Sequence, residues 1–100
     1  MRNLKRAVKL APLDFELRMQ LGIAYMKKRA YKDARKAFIE AAERDRESPR
    51  PYFYLAVIHG DKLGKSRPAL EALEQYKALG GKAPAALRWL EQLKAQLDER

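Results

Sequence analysis

The sequence predicts an all-α domain built from antiparallel helical hairpins, and three observations support this fold class. Ala, Leu, Lys, Arg and Glu dominate the composition and are strong helix formers, whereas β-branched residues are few. The sequence resembles itself after a shift of about 34 residues, which we call the repeat shift. Its glycines and prolines cluster at a few places, and these divide the chain into about six short helices.

The predicted helices are bounded by residues that end helices. They span residues 2–11, 14–28, 31–46, 50–62, 67–79 and 84–97. The breaks fall at Pro12, at the basic turn 28–30, at 48–51, at Gly64 and at 80–81. Because the connections are short, neighbouring helices are expected to run antiparallel. A chain of 100 residues is expected to form one domain around one core.

The repeat shift pairs residues of the same size class. It aligns Leu21 with Leu55 and the small Gly22 with the small Ala56. Two helices that cross closely need a small residue at the contact point, which explains this pairing. The clearest unit covers residues 15–48 and contains Leu21-Gly22-x-x-Tyr25, followed by Ala34-x-x-x-Phe38-x-x-Ala41. This pattern resembles the tetratricopeptide repeat.

The resemblance implies a short right-handed α-solenoid of stacked hairpins, forming a single domain over residues 1–100. Its parts are the second half of a preceding repeat (1–12), a full repeat (15–48), a degenerate repeat (49–82) and a capping helix (83–100). The degenerate repeat carries one extra residue near Gly60 to Gly64. In the capping helix the contact point is the charged Glu91, so we expect Ala86, Leu90, Leu93 and Leu97 to face inward there.

The resemblance also implies that the first helix of each hairpin lines a concave groove, which binds an extended or helical peptide. The apolar candidates for this groove are Met19, Ile23, Met26, Phe53, Tyr54, Val57 and Trp89. The basic candidates at its rim are Lys27, Arg50 and Arg88. Such a surface suits a protein or peptide partner with one or two apolar anchors and acidic flanks. Alternatively, Ile23, Phe53 and Trp89 complete the core between neighbouring helices.

The sequence does not favour catalysis. Cysteine is absent, and His59 is the only histidine, so thiol nucleophiles and histidine-rich metal sites are excluded. The segment Gly60–Ser66 ends like a phosphate-binding loop but has the wrong glycine spacing and follows a helix. We therefore expect no enzyme activity and no cofactor. No apolar run reaches the roughly 20 residues that span a bilayer. The chain is expected to be soluble, with the cytoplasm slightly favoured.

Two other functions remain open because the net charge is +9. A basic helical repeat could bind nucleic acid through Lys27, Lys28, Arg29, Lys32, Arg35 and Lys36, with Arg2, Lys5, Arg6 and Lys9 in support. The chain could also associate with itself, since its first helix is expected to have no cap. Peptide or protein binding by a scaffold or adaptor module is the favoured function.

Overall fold

The computed structural model describes the backbone of residues 2–98 and the side chains of residues 14–97. All the regular structure in this part of the chain is helical, which confirms that the fold is all-α. It contains five α-helices: α1 (Arg2–Lys27), α2 (Tyr31–Arg44), α3 (Arg50–Ala56), α4 (Ser66–Ala78) and α5 (Pro84–Asp98). A π-helical turn, Val57–Lys62, continues α3 without a break.

The break predicted at Pro12 is wrong, since α1 continues from Arg2 to Lys27. The proline ring fixes φ near the helical value, so a helix can pass through proline, at the cost of one backbone hydrogen bond and of crowding between the ring and the carbonyl four residues earlier. The predicted helices 2–11 and 14–28 are therefore one helix, and the predicted total of about six falls to five. The other predicted helices are confirmed, with ends that move by at most about two residues.

Each helix packs against its neighbours in the sequence. Three residues join α1 to α2, so these two helices run antiparallel. Arg29 closes α1 with a left-handed backbone (φ 63°), and the N–H of Ala30 donates to the Tyr25 carbonyl at 2.9 Å. Gly80 (φ 94°) closes α4 in the same way.

Gly22 of α1 lies directly against the Phe38 ring of α2. A Cβ atom at this position would lie 2.6 Å from the Phe38 ring. That ring is fully buried and stacks on Tyr54, so it has no room to move aside. The small residue expected at this crossing is therefore confirmed. The other small residues expected at crossings are fully buried as well: Ala34, Ala41, Ala56 and Ala69.

Aromatic side chains connect α2, α3 and α4. Phe38 and Tyr54 stack in parallel with ring centroids 4.9 Å apart, and Tyr54 meets Phe53 edge to face at 5.5 Å. Phe53 in turn lies 6.0 Å from the ring of Tyr76. We call these four residues the aromatic chain. Each contact between two rings stabilises the fold by about 0.5–1.5 kcal/mol more than burial of the apolar surface alone, where the ring geometry is favourable.

Helix α5 has the predicted sidedness. Ala86, Leu90 and Leu93 are buried against the core, and Leu97 is half-buried. Arg88 and Glu91 on the opposite side are exposed.

We predict that Gly22→Ala destabilises the protein, although alanine is the better helix former by about 1 kcal/mol. The added methyl group would overlap the Phe38 ring, and overpacking of this kind costs about 1–3 kcal/mol. Urea unfolding followed by circular dichroism measures the difference. Ala95→Val, at an exposed position of α5, is the control, with an expected loss below about 0.7 kcal/mol. A Gly22→Ala protein more stable than the wild type would contradict the close crossing.

Candidate functional site

A pocket of about 390 Å³ opens between α3, the π-helical turn and the start of α5. Its lining residues are Phe53, Val57, Gly60, Asp61, Ala85, Ala86 and Trp89. Most of these are apolar, and Asp61 supplies the one charged side chain among them. The volume falls within the range of pockets that hold ligands in proteins.

Trp89 forms one wall of the pocket by lying against Gly60. A Cβ atom on Gly60 would come within 2.6 Å of the indole Cζ2 and 2.9 Å of the Ala69 Cβ. The glycine thus lets the indole ring approach the backbone of the π-helical turn. The indole remains half-buried, with part of its surface open to a ligand.

The π-helical turn lies where the repeat contains its extra residue. The N–H of Leu63 donates to the Ile58 carbonyl at 2.9 Å, which is the five-residue spacing of a π-helix. A π-helix holds more residues in each turn than an α-helix, so the chain can accommodate one extra residue without breaking the helix. Such turns occur frequently at functional sites.

Phe53, on the opposite wall, is held by the aromatic chain. It touches both Tyr54 and Tyr76, and the Tyr76 hydroxyl accepts a hydrogen bond from the N–H of Ala83 at 2.9 Å. Gly81 fits against the Tyr76 ring, where a Cβ atom would come within 2.3–2.5 Å. These contacts fix the loop that leads into α5, and with it the distance between the two walls.

The structure brings together three of the seven apolar residues predicted for the groove. Phe53, Val57 and Trp89 line the pocket. The prediction is wrong for Met19, which is fully buried and packs in the core because it faces the interior side of α1. Ile23 and Met26 are half-buried and pack against the same core.

Tyr54 belongs to the core side of α3 and does not line the pocket. Its ring is nearly parallel to that of Phe38, with 4° between the planes. The alternative interpretation placed Ile23, Phe53 and Trp89 in the core between helices. All three pack against the core, and Phe53 and Trp89 also line the pocket.

The basic rim predicted for the groove does not surround this pocket. Arg50 is engaged elsewhere: its Nη1 donates to Glu16 Oε2 at 2.6 Å, its Nη2 donates to Oε1 at 3.3 Å, and its guanidinium carbon lies 5.4 Å from the centre of the Phe15 ring. The hydrogen bond from Arg50 holds the pKa of Glu16 below its ordinary value. Lys27 and Arg88 are exposed, and neither lines the pocket.

Four lining residues were missed by the sequence analysis: Gly60, Asp61, Ala85 and Ala86. The repeat shift could have identified two of them, because it aligns the predicted Met26 and Lys27 with Gly60 and Asp61. No comparable signal marks the two alanines, which are small residues in the first turn of α5.

His59 lies in the π-helical turn next to the pocket. Its pKa is lowered, mainly because burial disfavours the charged ring and also because Arg35 and Lys65 repel it, while Glu71 acts in the opposite direction. Its buried Nδ1 has no hydrogen-bond partner among the described residues. The site therefore favours a neutral imidazole.

We predict that acidification from about pH 7.5 to about pH 5.5 weakens the wild-type fold. The unfolded chain takes up a proton near the ordinary His59 pKa of 6.5, before the folded chain does. The neutral His59 therefore makes its full contribution to the free energy of unfolding above that pH. This contribution falls as the pH drops towards the lower pKa of the folded state. Urea unfolding at the two pH values measures this, and His59→Gln should remove the difference. Equal losses in both proteins would contradict the account. Glu16 does not interfere, because it titrates below its ordinary pKa of 4.5.

The described residues include no group of three His, Asp or Glu side chains that could hold a metal ion. None of the helices in residues 2–98 is both long and apolar enough to cross a membrane.

Comparison of the chain with protein-family models, with curated proteins and with solved structures found no match. The resemblance to the tetratricopeptide repeat stays a prediction that rests on the residues paired by the repeat shift.

Proposed function

We propose that this chain is a non-enzymatic interaction module, a scaffold or adaptor that binds a peptide or protein segment. The pocket between α3 and α5 would receive one apolar side chain of the partner. The observation that carries this proposal is a mostly apolar pocket walled by two partly exposed aromatic residues, Phe53 and Trp89. Aromatic side chains packed in desolvated pockets near the centre of an interface supply much of the binding energy in many protein complexes.

The helices would form a short right-handed solenoid of the tetratricopeptide type, with α5 as its cap. The pairing of Glu16 with Arg50 supports this arrangement, since these residues are separated by 34 positions. They are equivalent positions of α1 and α3, and their side chains are hydrogen-bonded. In a stacked array the equivalent helices of successive hairpins lie side by side, which brings equivalent positions together in this way.

The charges around the pocket limit the chemistry of the partner. Asp61 lines the pocket, and its carboxylate lies 3.3 Å from Lys62 Nζ. Arg88 precedes Trp89 on α5 and is exposed. An apolar anchor flanked by acidic residues would meet Arg88 and the overall charge of +9. Asp61 would favour a backbone N–H or a basic group of the partner close to the anchor.

We predict that a random peptide library displayed on phage will yield binders that share one large apolar residue. Trp89 is the sole tryptophan, so its fluorescence reports directly on occupation of the pocket. The Ala85→Arg substitution places a long side chain at the pocket beside Asp61. It should weaken binding of a selected peptide at least about tenfold, equivalent to about 1.4 kcal/mol.

Ala95→Arg is the matched control, because Ala95 is also exposed on α5 but does not line the pocket. It should bind the selected peptide as the wild type does. Equal affinities for the two variants, or binding that leaves Trp89 fluorescence unchanged, would exclude the pocket as the peptide site.

Nucleic-acid binding is the second candidate, because one observation favours it. The predicted basic residues around the turn from α1 to α2 are all exposed: Lys27, Lys28, Arg29, Lys32, Arg35 and Lys36. Binding to phosphates would weaken steeply as salt rises, since it releases counterions. Binding of an apolar anchor would tolerate salt, so a salt titration with single-stranded RNA and with a selected peptide separates the two functions.

A further inference from the structure

The pocket between α3 and α5 holds one carboxylate among apolar side chains. Asp61 is exposed and lines the pocket, whereas every other side chain of the lining is apolar. A purely apolar anchor would take water from part of this carboxylate and give it no hydrogen-bond donor in return, which costs free energy. A positively charged anchor would avoid this cost, because it would pair with Asp61.

Lys62 shows that the Asp61 carboxylate accepts an ammonium group. The Lys62 Nζ lies 3.3 Å from Asp61 Oδ2. Both side chains are exposed, and an ion pair of this kind contributes little to stability. A carboxylate has two oxygens with about four acceptor sites in total, so this pair leaves Asp61 able to accept a hydrogen bond from a ligand.

Two aromatic side chains of the lining are also suited to a cation. Phe53 and Trp89 both line the pocket, and each is half-buried. The face of an aromatic ring carries negative electrostatic potential, and it attracts a cation that lies within about 6 Å of the ring centre. Tryptophan attracts a cation most strongly, and the attraction grows when the cation loses water. The pocket therefore combines two aromatic rings with one carboxylate.

The number of hydrogen-bond donors decides which cation fits this lining best. The ammonium group of lysine has three N–H donors and the guanidinium group of arginine has five, whereas the lining offers one charged acceptor. Each methyl group added to the lysine nitrogen replaces one donor by apolar surface and keeps the charge. A dimethylammonium group retains a single N–H, which one carboxylate satisfies. Its two methyl groups can be buried against the apolar lining.

We propose that the pocket binds a dimethyllysine side chain of a partner protein. The dimethylammonium group would contact Phe53 and Trp89, and its N–H would donate to Asp61. This inference rests on the proposed function, since it names the anchor that a peptide-binding module would hold here. The net charge of +9 still favours acidic residues on either side of the dimethyllysine, and its repulsion of the ligand is screened beyond about 8 Å at physiological salt.

Three capped tripeptides test the proposal. Each has the form acetyl-Ala-X-Ala-amide, where X is dimethyllysine, lysine or a neutral isostere of dimethyllysine in which carbon replaces the charged nitrogen. Each is titrated into the wild-type protein, and Trp89 fluorescence reports binding. The dimethyllysine peptide should bind at least about fivefold more tightly than the isostere, equivalent to about 1 kcal/mol, and more tightly than the lysine peptide. A lysine or isostere peptide that binds as tightly as the dimethyllysine peptide would overturn the proposal.

The Asp61→Asn substitution tests the role of the carboxylate. Asparagine keeps the shape of the side chain but carries no charge, and hydrogen bonds to ionised groups are the stronger ones. The preference for dimethyllysine over the isostere should therefore fall at least about threefold. An unchanged preference would contradict the pairing with Asp61.

Glu74→Gln is the matched control, since it removes the same charge from an exposed position outside the pocket. Its preference for dimethyllysine should equal that of the wild type. An equal fall in both variants would trace the preference to the overall charge of the protein and overturn the proposed contact.

The outcomes separate this inference from the proposed function. If the isostere binds as tightly as dimethyllysine, the pocket still holds an apolar anchor, and only the inference fails. The same conclusion follows if no capped tripeptide changes Trp89 fluorescence but a peptide selected from the phage library does. If neither kind of peptide changes the fluorescence, both the inference and the proposed peptide site fail.

Discussion

The aromatic chain is the interaction on which the rest of this structure depends. It starts where the Phe38 ring occupies the space beside Gly22, passes through Tyr54 and Phe53, and reaches Tyr76. Each ring belongs to a different helix from the next, except for the adjacent pair on α3. The chain therefore links contacts between sequence neighbours into one continuous core. The hydrogen bond from the N–H of Ala83 to the Tyr76 hydroxyl extends it to the start of α5.

The pocket is a consequence of this packing. Phe53 is both a link of the aromatic chain and a wall of the pocket, whereas Trp89 reaches the opposite wall because Gly60 leaves room for its indole. The extra residue of the second repeat is absorbed as a π-helical turn between these walls. A departure from the repeat thus coincides with the candidate site.

The sequence predicted the helices well because helix-breaking residues and residue sizes are local signals. Four of the five helices were placed within about two residues when the π-helical turn is counted with α3. It failed at Pro12 because proline lowers the stability of a helix interior without forbidding it, so the outcome depends on packing. The groove was predicted less well. A helical repeat shows which residues share a position, but the packing around each copy decides whether the side chain is buried in the core, as for Met19, or lines the pocket, as for Phe53 at the equivalent position. The hydrogen-bonded pair of Arg50 and Glu16 joins α3 to α1, and the sequence analysis assigned Arg50 to the groove rim because residues close in the sequence do not reveal a partner 34 positions away.

A double-mutant cycle between Phe38 and Tyr54 tests most directly whether the aromatic chain joins the helices into one unit. The free energy of unfolding would be measured for Phe38→Leu, for Tyr54→Leu and for the double variant. We expect the double variant to lose about 0.5–1.5 kcal/mol less than the sum of the two single losses, because either single substitution already removes the stacking between the rings. Effects that add to within about 0.3 kcal/mol would contradict the account, since the two rings would then act independently.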